Sequence, residues 1–486
     1  MQPQRSSSPD SHALWLAVGV AAVIAVLRIP SFLRPILDDD EAQYAAIGEL
    51  VRSGGRLYAE GGVDFKFPGI YWTYLAVFAV AGRYAMWAVH LLSLATVLGT
   101  ALTLARIAGR YGAPRGGLWA ALCYGVFSTV YYSKMLAANT ELFMMLCISG
   151  AVLLLVSEAP GWFWRTLVAG ALVGVACLYK QIAVLTLALP LLVTPRLGRA
   201  AVAGLGCVLV LLAATVVLAA TGSLAGLWHW CVERLVGSYG SSAWKGSLLG
   251  NLARGFLPFL ATSIVVWIGA GTAVVRGAPL VLVAWLVLSG ASAAAGGHFF
   301  AHYFLQPLAP LSVLAALAFR RMSWPIVAGT TLPVAACFAL AFVFEPITEA
   351  FGPPDPDYRV PVAWVRAHTE DSDRIFVWGV FPPMYVLAHR LPASRFVGFM
   401  RGAERSRDVP PEAGWDVGSE VWPALAEDFA AHPPAVIIDT STADYMSFGH
   451  YPMARFPAMQ ALVDRDYLRA ASPGGVSMYV RRPAPR

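Results

Sequence analysis

The segment Leu37–Trp72 concentrates residue types that could do chemistry. It holds four consecutive acids, Asp38–Glu41, directly before a stretch with helical spacing. One carboxylate suffices to cap a helix, and Asp40 with Gln43 fits a capping box, but adjacent acids repel one another and gain little from the helix dipole. Two roles are therefore open, helix capping and function. A functional carboxylate here would act as a general base on an acceptor hydroxyl or would bind a cation.

The stretch that follows the acids has one apolar and one polar face. Tyr44, Ile47 and Leu50 share the apolar face, whereas Glu49 and Arg52 lie on the other. This pattern predicts an amphipathic helix that lies in the membrane interface.

Lysine is rare in this chain and could supply cations for a phosphate. The four lysines are Lys66, Lys134, Lys180 and Lys245. Lys66 comes just before an apolar run, where a lysine is expected to extend its ammonium to the headgroup level, and it could equally pair with a lipid phosphate. Lys180, between two apolar runs, either marks a helix end or supplies another point cation.

A second acidic position is Glu141, at the start of an apolar run. Asn139 or Thr140, which precede it, would serve as a helix N-cap. A carboxylate that enters an apolar helix without a partner is costly. Glu141 is therefore a candidate for a second carboxylate on the catalytic side.

The segment Gly297–Phe304 combines two histidines with aromatic residues. The aromatics fit an interfacial belt. His298 and His302 could bind a metal if the segment is helical, but no third ligand is placed. Donation of a hydrogen bond to a phosphate oxygen is an equal alternative. The six cysteines form no metal-ligand or disulfide pattern.

Membrane-spanning helices must position these residues. The chain of 486 residues is 58% hydrophobic and 13% charged, with a mean hydropathy of +0.61, whereas a soluble domain has roughly 25% charged residues. Apolar runs near the length that crosses a bilayer predict about eleven spans. They lie at residues 13–30, 84–105, 116–133, 142–157, 165–180, 182–194, 200–220, 252–275, 278–296, 304–319 and 325–344.

Arginines in the connections predict the orientation. If the shorter run Pro68–Gly82 is interfacial or re-entrant, the arginines at 106–115, 196–199 and 320–321 lie on the side of the N-terminus. The positive-inside rule then predicts a multi-pass plasma-membrane protein with a cytoplasmic N-terminus and an extracytoplasmic C-terminus. The acids and lysines described above fall outside. The net charge of +6 resides in these short loops, so no nucleic-acid partner is expected, and the residue usage indicates a GC-rich bacterial genome.

A change in composition predicts two domains, 1–345 and 346–486. In the second, residues 374–379, 435–439 and 476–481 are typical of short strands, and residues 422–431 have a helical pattern. The predicted fold is an all-α polytopic membrane domain followed by a small extracytoplasmic α/β domain.

Several of these segments resemble the superfamily C (GT-C) membrane glycosyltransferases, closest to protein O-mannosyltransferase-like and lipid A aminoarabinose transferase-like proteins. DEAQYAAI from Asp40, SG from Ser53 and KFPGIYW from Lys66 resemble the first external loop of that family. NTELF from Asn139 looks like its second acidic loop, and HYFLQPLAP from His302 is similar to a segment of bacterial members. The likeness covers residues 13–345.

The resemblance implies interfacial helices in the first external loop and inverting transfer from a polyprenyl-phosphate or dolichyl-phosphate sugar. The acceptor is left open between a protein Ser/Thr, a cell-wall glycan and a glycolipid. Asp40 would match the presumed general base, with Asp39 as the alternative, and Lys66 would contact the lipid phosphate. The predicted catalytic residues are Asp39, Asp40 and Glu141, and the predicted substrate-binding residues are Glu41, Tyr44, Lys66, Lys180, His302 and Tyr303. The scheme needs no metal or other cofactor because the leaving phosphate is already a good anion, although a divalent metal is compatible with it.

Two other classes of function remain open. A flippase of lipid-linked sugars would place ionisable residues near the bilayer midplane, whereas here they collect at span ends. A non-catalytic relative acting as an assembly or lipid-binding partner would have no need of the acid cluster and Lys66.

Overall fold

Apolar helices make up most of this computed structural model. It describes residues 11–112, 117–129, 133–157, 160–233, 248–320, 322, 329–334, 336–337, 357–398 and 421–483. Within these ranges, five helices are long and apolar enough to cross a membrane, and a sixth span results if two helices that meet at an 82° bend are taken together. The protein is a multi-pass membrane protein.

The helices are numbered here in chain order. The α-helices are α1 (Ser11–Leu27), α2 (Pro30–Leu33), α3 (Asp39–Arg52), α4 (Gly69–Ala81), α5 (Met86–Arg110), α6 (Gly117–Phe127), α7 (Ser133–Leu136), α8 (Thr140–Leu155), α9 (Trp162–Tyr179), α10 (Arg196–Ala220), α11 (Leu224–Trp228), α12 (Leu248–Thr262), α13 (Ile264–Val275), α14 (Leu280–Ala294), α15 (Leu305–Phe319), α16 (Arg359–His368), α17 (Pro383–Ala388), α18 (Val421–Ala431) and α19 (Pro457–Asp466). The 3₁₀-helices are Gln181–Leu192, Ala301–Phe304, Thr440–Ala443, Tyr445–His450, Met453–Arg455 and Pro473–Gly475, and His229–Glu233 is a π-helix.

The predicted spans coincide with apolar helical elements wherever the chain is described. The run at 252–275 is divided at Ser263, where α12 and α13 meet at the 82° bend. The run at 182–194 forms the 3₁₀-helix Gln181–Leu192. The run at 325–344 lies largely outside the described residues. Several of the elements are shorter than a full span, so the total of about eleven spans stays a prediction.

Helix α4 corresponds to the run predicted not to cross. It has 13 residues, which at 1.5 Å per residue gives about 20 Å. The hydrocarbon core of a bilayer is about 30 Å thick. This length favours an interfacial or re-entrant placement of α4.

Contacts between Cα atoms divide the chain into two units. The first comprises Met1–Leu37, His90–Ala214 and Ser247–Phe351, and the second comprises Asp38–Val89, Thr215–Gly246 and Gly352–Arg486. The second unit thus joins the first-loop helices α3 and α4 to the C-terminal sheet. The boundary near residue 345 was drawn from composition and stays a prediction.

The first unit is held by closely packed apolar helices. Helix α15 is buried along most of its length and packs against α6, α13 and α14. Small residues allow α9 and α10 to approach, because a Cβ atom at Gly170 would lie 1.9 Å from the Ala203 carbonyl oxygen and one at Gly206 would lie 2.1 Å from that of Leu167. Close backbone approach through small residues is the usual way in which helices associate in lipid.

The second unit contains a five-stranded sheet with the order β2-β1-β3-β5-β4. Strands β1 (Arg374–Trp378), β3 (Val436–Asp439) and β5 (Ser477–Arg481) confirm the predicted strands, and α18 confirms the predicted helix. Strand β1 is parallel to β2 (Leu391–Pro392) and to β3, whereas β5 is antiparallel to β3 and to β4 (Tyr467–Ala471). The C-terminal domain is therefore α/β, as predicted.

Helix α3 is buried within the second unit rather than amphipathic. It packs against α4, α17 and β2. The placement of Glu49 on a polar outer face is wrong, because its side chain is 0% exposed. Arg52 Nη2 lies 2.5 Å and Arg83 Nε 3.2 Å from Glu49 Oε1, and Arg83 also donates to the Asp371 carbonyl. Two arginines thus compensate the buried charge and connect α3 to the C-terminal domain.

A buried carboxylate also stabilises the C-terminal domain. Asp428 is 5% exposed and accepts hydrogen bonds from Ser394 Oγ, from the Arg395 backbone and from the Arg395 guanidinium at 2.7–3.1 Å. Because Asp428→Ala leaves these donors without their acceptor, we expect it to lower the free energy of unfolding by about 3 kcal/mol, measured as an earlier thermal transition in detergent. The matched control is Glu427→Ala, which removes the exposed partner of Arg395. An equal shift in both variants would contradict the expectation.

Candidate active site

The four acids lie at the beginning of α3. Asp38 is the N-cap residue, and its side chain makes no capping hydrogen bond. The capping box predicted from Asp40 and Gln43 is wrong, because the helix begins at Asp39 and Asp40 already belongs to its first turn. The N-cap residue is thus Asp38 rather than Asp40, and its side chain does not cap the helix.

Burial separates the members of the acid cluster. Glu41 is 0% and Asp38 is 7% exposed, whereas Asp39 and Asp40 are half-buried. The N-terminus of a helix favours negative charge in its first turn. Asp39 and Asp40 are therefore the carboxylates of the cluster that solvent or an acceptor can reach.

Tyr44 belongs to a buried aromatic group. Its ring makes edge contacts with Tyr71 and Tyr74 at centroid distances of 5.9 and 6.0 Å, and it is 1% exposed. Tyr44 and Glu41 are thus both buried, and their contact with substrate stays a prediction.

Lys66 lies in the loop between α3 and α4. Its side chain is half-buried, with the ammonium 5.4 Å from the centroid of the Phe65 ring. Its backbone carbonyl accepts a hydrogen bond from Tyr58 Oη at 2.8 Å and one from Cys231 Sγ at 3.4 Å. Sequence reasoning missed both residues. Tyr58 precedes Lys66 by 8 positions without a periodic pattern that connects them, and Cys231 is 165 positions away.

Four of the predicted site residues come together in the first unit. Lys180 Nζ lies 2.5 Å from Glu141 Oε1 and 3.4 Å from the centroid of the Tyr303 ring. His302 Nε2 lies 3.9 Å from Glu141 Oε2, which accepts a hydrogen bond from the Thr140 hydroxyl at 2.8 Å. The Glu141 and His302 side chains are 1% and 5% exposed. The four residues therefore form a buried charged cluster.

The local structure explains how this cluster forms. Glu141 lies in the first turn of α8 after the N-cap Asn139, where the helix dipole favours a carboxylate. Lys180 is the C-cap residue of α9, which confirms one of its two predicted roles, that of a helix end. The carboxylate compensates the charge of Lys180 and accepts from its ammonium, in a pair whose side chains are 1% (Glu141) and 19% (Lys180) exposed.

His298 and His302 do not share a helix face. The 3₁₀-helix begins at Ala301, and Phe299 has a φ of 52°, so the helical arrangement assumed for a metal pair is wrong. Both imidazoles instead stack on the Phe300 ring, at 5.4 and 6.0 Å. No group of three or more His, Cys, Asp or Glu side chains able to hold a metal occurs among the residues that the structure describes.

Comparison with solved structures identifies the fold. ArnT from Cupriavidus metallidurans in the apo state superposes with a TM-score of 0.59 at 16% identity, over 97% of this chain and 98% of that chain. The oligosaccharyltransferase of Archaeoglobus fulgidus gives a TM-score of 0.53 at 14% identity, over 96% of this chain and 73% of its own. This chain has the GT-C fold. No family model and no curated protein sequence matches it.

The GT-C fold agrees with the resemblance of the first loop. In both comparisons nearly the whole chain takes part, including the C-terminal residues for which no sequence likeness was found. At identities of 14–16% the likeness concerns the fold and assigns no residue a role.

Proposed function

We propose that the protein is a glycosyltransferase that moves a sugar from a polyprenyl-phosphate donor to the hydroxyl of an extracytoplasmic acceptor, with inversion. The observation that carries the proposal is the pair of accessible carboxylates, Asp39 and Asp40, at the start of a helix in a GT-C fold. ArnT has been crystallised bound to undecaprenyl phosphate, and the Archaeoglobus enzyme has been solved with an inhibitory peptide and a dolichol-phosphate. These neighbours support a lipid-phosphate donor.

Asp40 is the proposed general base, with Asp39 as the alternative. The carboxylate accepts the proton of the acceptor hydroxyl while the hydroxyl oxygen attacks the anomeric carbon. The bond from that carbon to the phosphate oxygen breaks, and polyprenyl phosphate leaves as an anion. A single displacement from the opposite face inverts the anomeric configuration.

Lys66 is the proposed cation for the leaving phosphate. Its side chain is half-buried in the loop before α4, in the segment that resembles the phosphate-contacting loop of the GT-C family. Lys180 lies 2.5 Å from Glu141 and belongs to the charged cluster of the first unit. We propose Glu141, Lys180 and His302 as further polar residues that the reaction needs.

Transfer by the purified protein in liposomes tests the function. Radiolabelled polyprenyl-phosphate mannose is the first donor, followed by other sugars, with extracted cell-envelope glycans and peptides as acceptors. Lys66→Ala is expected to raise KM for the donor about 10- to 100-fold, because charge-assisted hydrogen bonds contribute about 1.5–3 kcal/mol. Lys66→Arg, which keeps the charge, serves as the control.

The same preparation separates the enzyme from the flippase. If the wild-type protein transfers no sugar from any donor while labelled lipid crosses the bilayer faster than in empty liposomes, the glycosyltransferase proposal fails and a flippase replaces it. Transfer without faster lipid movement excludes the flippase.

A further inference from the structure

The backbone carbonyl of Lys66 accepts hydrogen bonds from side chains outside the segment 64–66. Tyr58 Oη donates to the Lys66 carbonyl at 2.8 Å, and the Cys231 thiol lies 3.4 Å from the same oxygen and 3.7 Å from the Asp64 carbonyl. Tyr58 and Cys231 are each 2% exposed. Burial raises the pKa of the Tyr58 hydroxyl and of the Cys231 thiol, so both are protonated donors at neutral pH.

The residues immediately before Lys66 are fixed by a buried carboxylate. Asp64, 6% exposed, accepts a hydrogen bond from Tyr71 Oη at 2.7 Å and from the Phe65 backbone at 2.7 Å. The ring of Tyr71 also contacts the ring of Tyr58 at 6.2 Å. The turn 64–66 is therefore restrained at its carboxylate and at two carbonyl groups.

Tyr58, which donates to Lys66, has an unfavourable backbone conformation. Its φ is 63°, in the left-handed region that residues with a Cβ rarely occupy. Its backbone N–H donates to the Gly62 carbonyl at 2.9 Å, and α11 approaches so closely that a Cβ atom at Gly226 would lie 2.4 Å from the Tyr58 carbonyl oxygen. Such outliers persist where the surrounding structure determines them and are concentrated at functional sites.

We propose that Tyr58 is a positioning residue, which fixes the backbone of Lys66 so that the ammonium meets the donor phosphate at a defined place. This inference rests on the proposed function, in which Lys66 binds that phosphate. Cys231 assists as a weaker donor to the same carbonyl. A small displacement of a phosphate-binding group lowers the rate strongly. A fixed backbone at Lys66 limits the positions that its flexible side chain can take.

Tyr58→Phe tests this role, because it keeps the buried ring and removes only the donor. We expect KM for the polyprenyl-phosphate donor to rise about 5- to 10-fold, with KM for the acceptor unchanged. In a Lys66→Ala background the same substitution should have no further effect, since a positioning residue acts only through Lys66. The matched control is Tyr84→Phe, which removes another buried tyrosine hydroxyl that donates to a backbone carbonyl, that of Arg390.

A second readout does not depend on transfer. The rate at which an amine-reactive reagent labels Lys66, relative to Lys134, is measured by peptide mapping in the wild type, Tyr58→Phe and Tyr84→Phe. We expect Tyr58→Phe alone to raise the ratio several-fold. If wild-type transfer is absent but this shift occurs, the positioning stands and the proposed function falls. An unchanged ratio, or an effect on donor KM that persists in the Lys66→Ala background, overturns the inference.

Discussion

Asp40→Asn is expected to lower kcat for sugar transfer by about 10²- to 10⁴-fold, the range by which a general base contributes. The amide has the shape of the carboxylate but cannot take the proton of the acceptor hydroxyl. The side chain is half-buried in the first turn of α3 and is not the N-cap, so the helix should tolerate the change. The measurement is transfer in liposomes at saturating donor, with the amount of folded protein determined by gel filtration.

Asp39→Asn is the matched control, one residue earlier in the same turn. If Asp40 is the base, Asp39→Asn retains most of the activity. Loss of transfer only in Asp39→Asn would move the base by one residue and keep the reaction. Full activity in both variants would remove the carboxylates from the chemistry, and the proposed mechanism would have to be abandoned.

The ion pair of Lys180 with the buried carboxylate of Glu141 gives the second large effect. Lys180→Ala leaves a carboxylate that is 1% exposed without its cation, and we expect it to destabilise the protein by about 3–5 kcal/mol. Glu141→Ala should also destabilise the protein, because it leaves the Lys180 ammonium without its carboxylate. The measurement is the midpoint of thermal unfolding in detergent, with Glu60→Gln, in an exposed pair with Arg56, as the control that shifts little.

A double variant separates stability from function at this pair. Glu141→Gln combined with Lys180→Met removes both charges together, and replacing a whole buried pair is often neutral. We expect the double variant to recover most of the thermal stability of the wild type but not its transfer activity. Recovery of transfer as well would reduce the pair to a structural role.

Local sequence patterns predicted where helices and strands form better than they predicted which residues contact one another. Residues 374–379 and 435–439 are bounded by turn residues and form strands because their apolar side chains fill a core. Strand β4 escaped prediction, since it lies at the sheet edge and most of its side chains are exposed. One of the two roles predicted for Lys180, a helix end, is confirmed, but only the folded chain shows that Lys180 contacts Glu141.

The burial of a charged residue could not be predicted where the residue that compensates its charge lies far along the chain. Glu49 carries the same local signal as an exposed glutamate on a polar helix face, yet it is buried because Arg83, from the connection after α4, reaches it. The hydrogen bond from Cys231 to Lys66 joins residues 165 positions apart. Sequence periodicity does not reveal such pairings, because they depend on tertiary packing. The cluster of four acids was evident from residue type, whereas the exposure of each acid was not.

The second unit combines segments that are far apart in the sequence, and this has a consequence for biosynthesis. Helix α3 is translated early and its partner α4 follows directly, but its other packing partners, α17 and β2, come near the end of the chain. At about 5–20 residues per second, the ribosome needs on the order of tens of seconds to reach them. During that interval the later spans insert into the membrane while the packing around α3 is still incomplete. A chain released early would therefore lack two of the elements that bury α3, so the full burial of this helix depends on full-length synthesis.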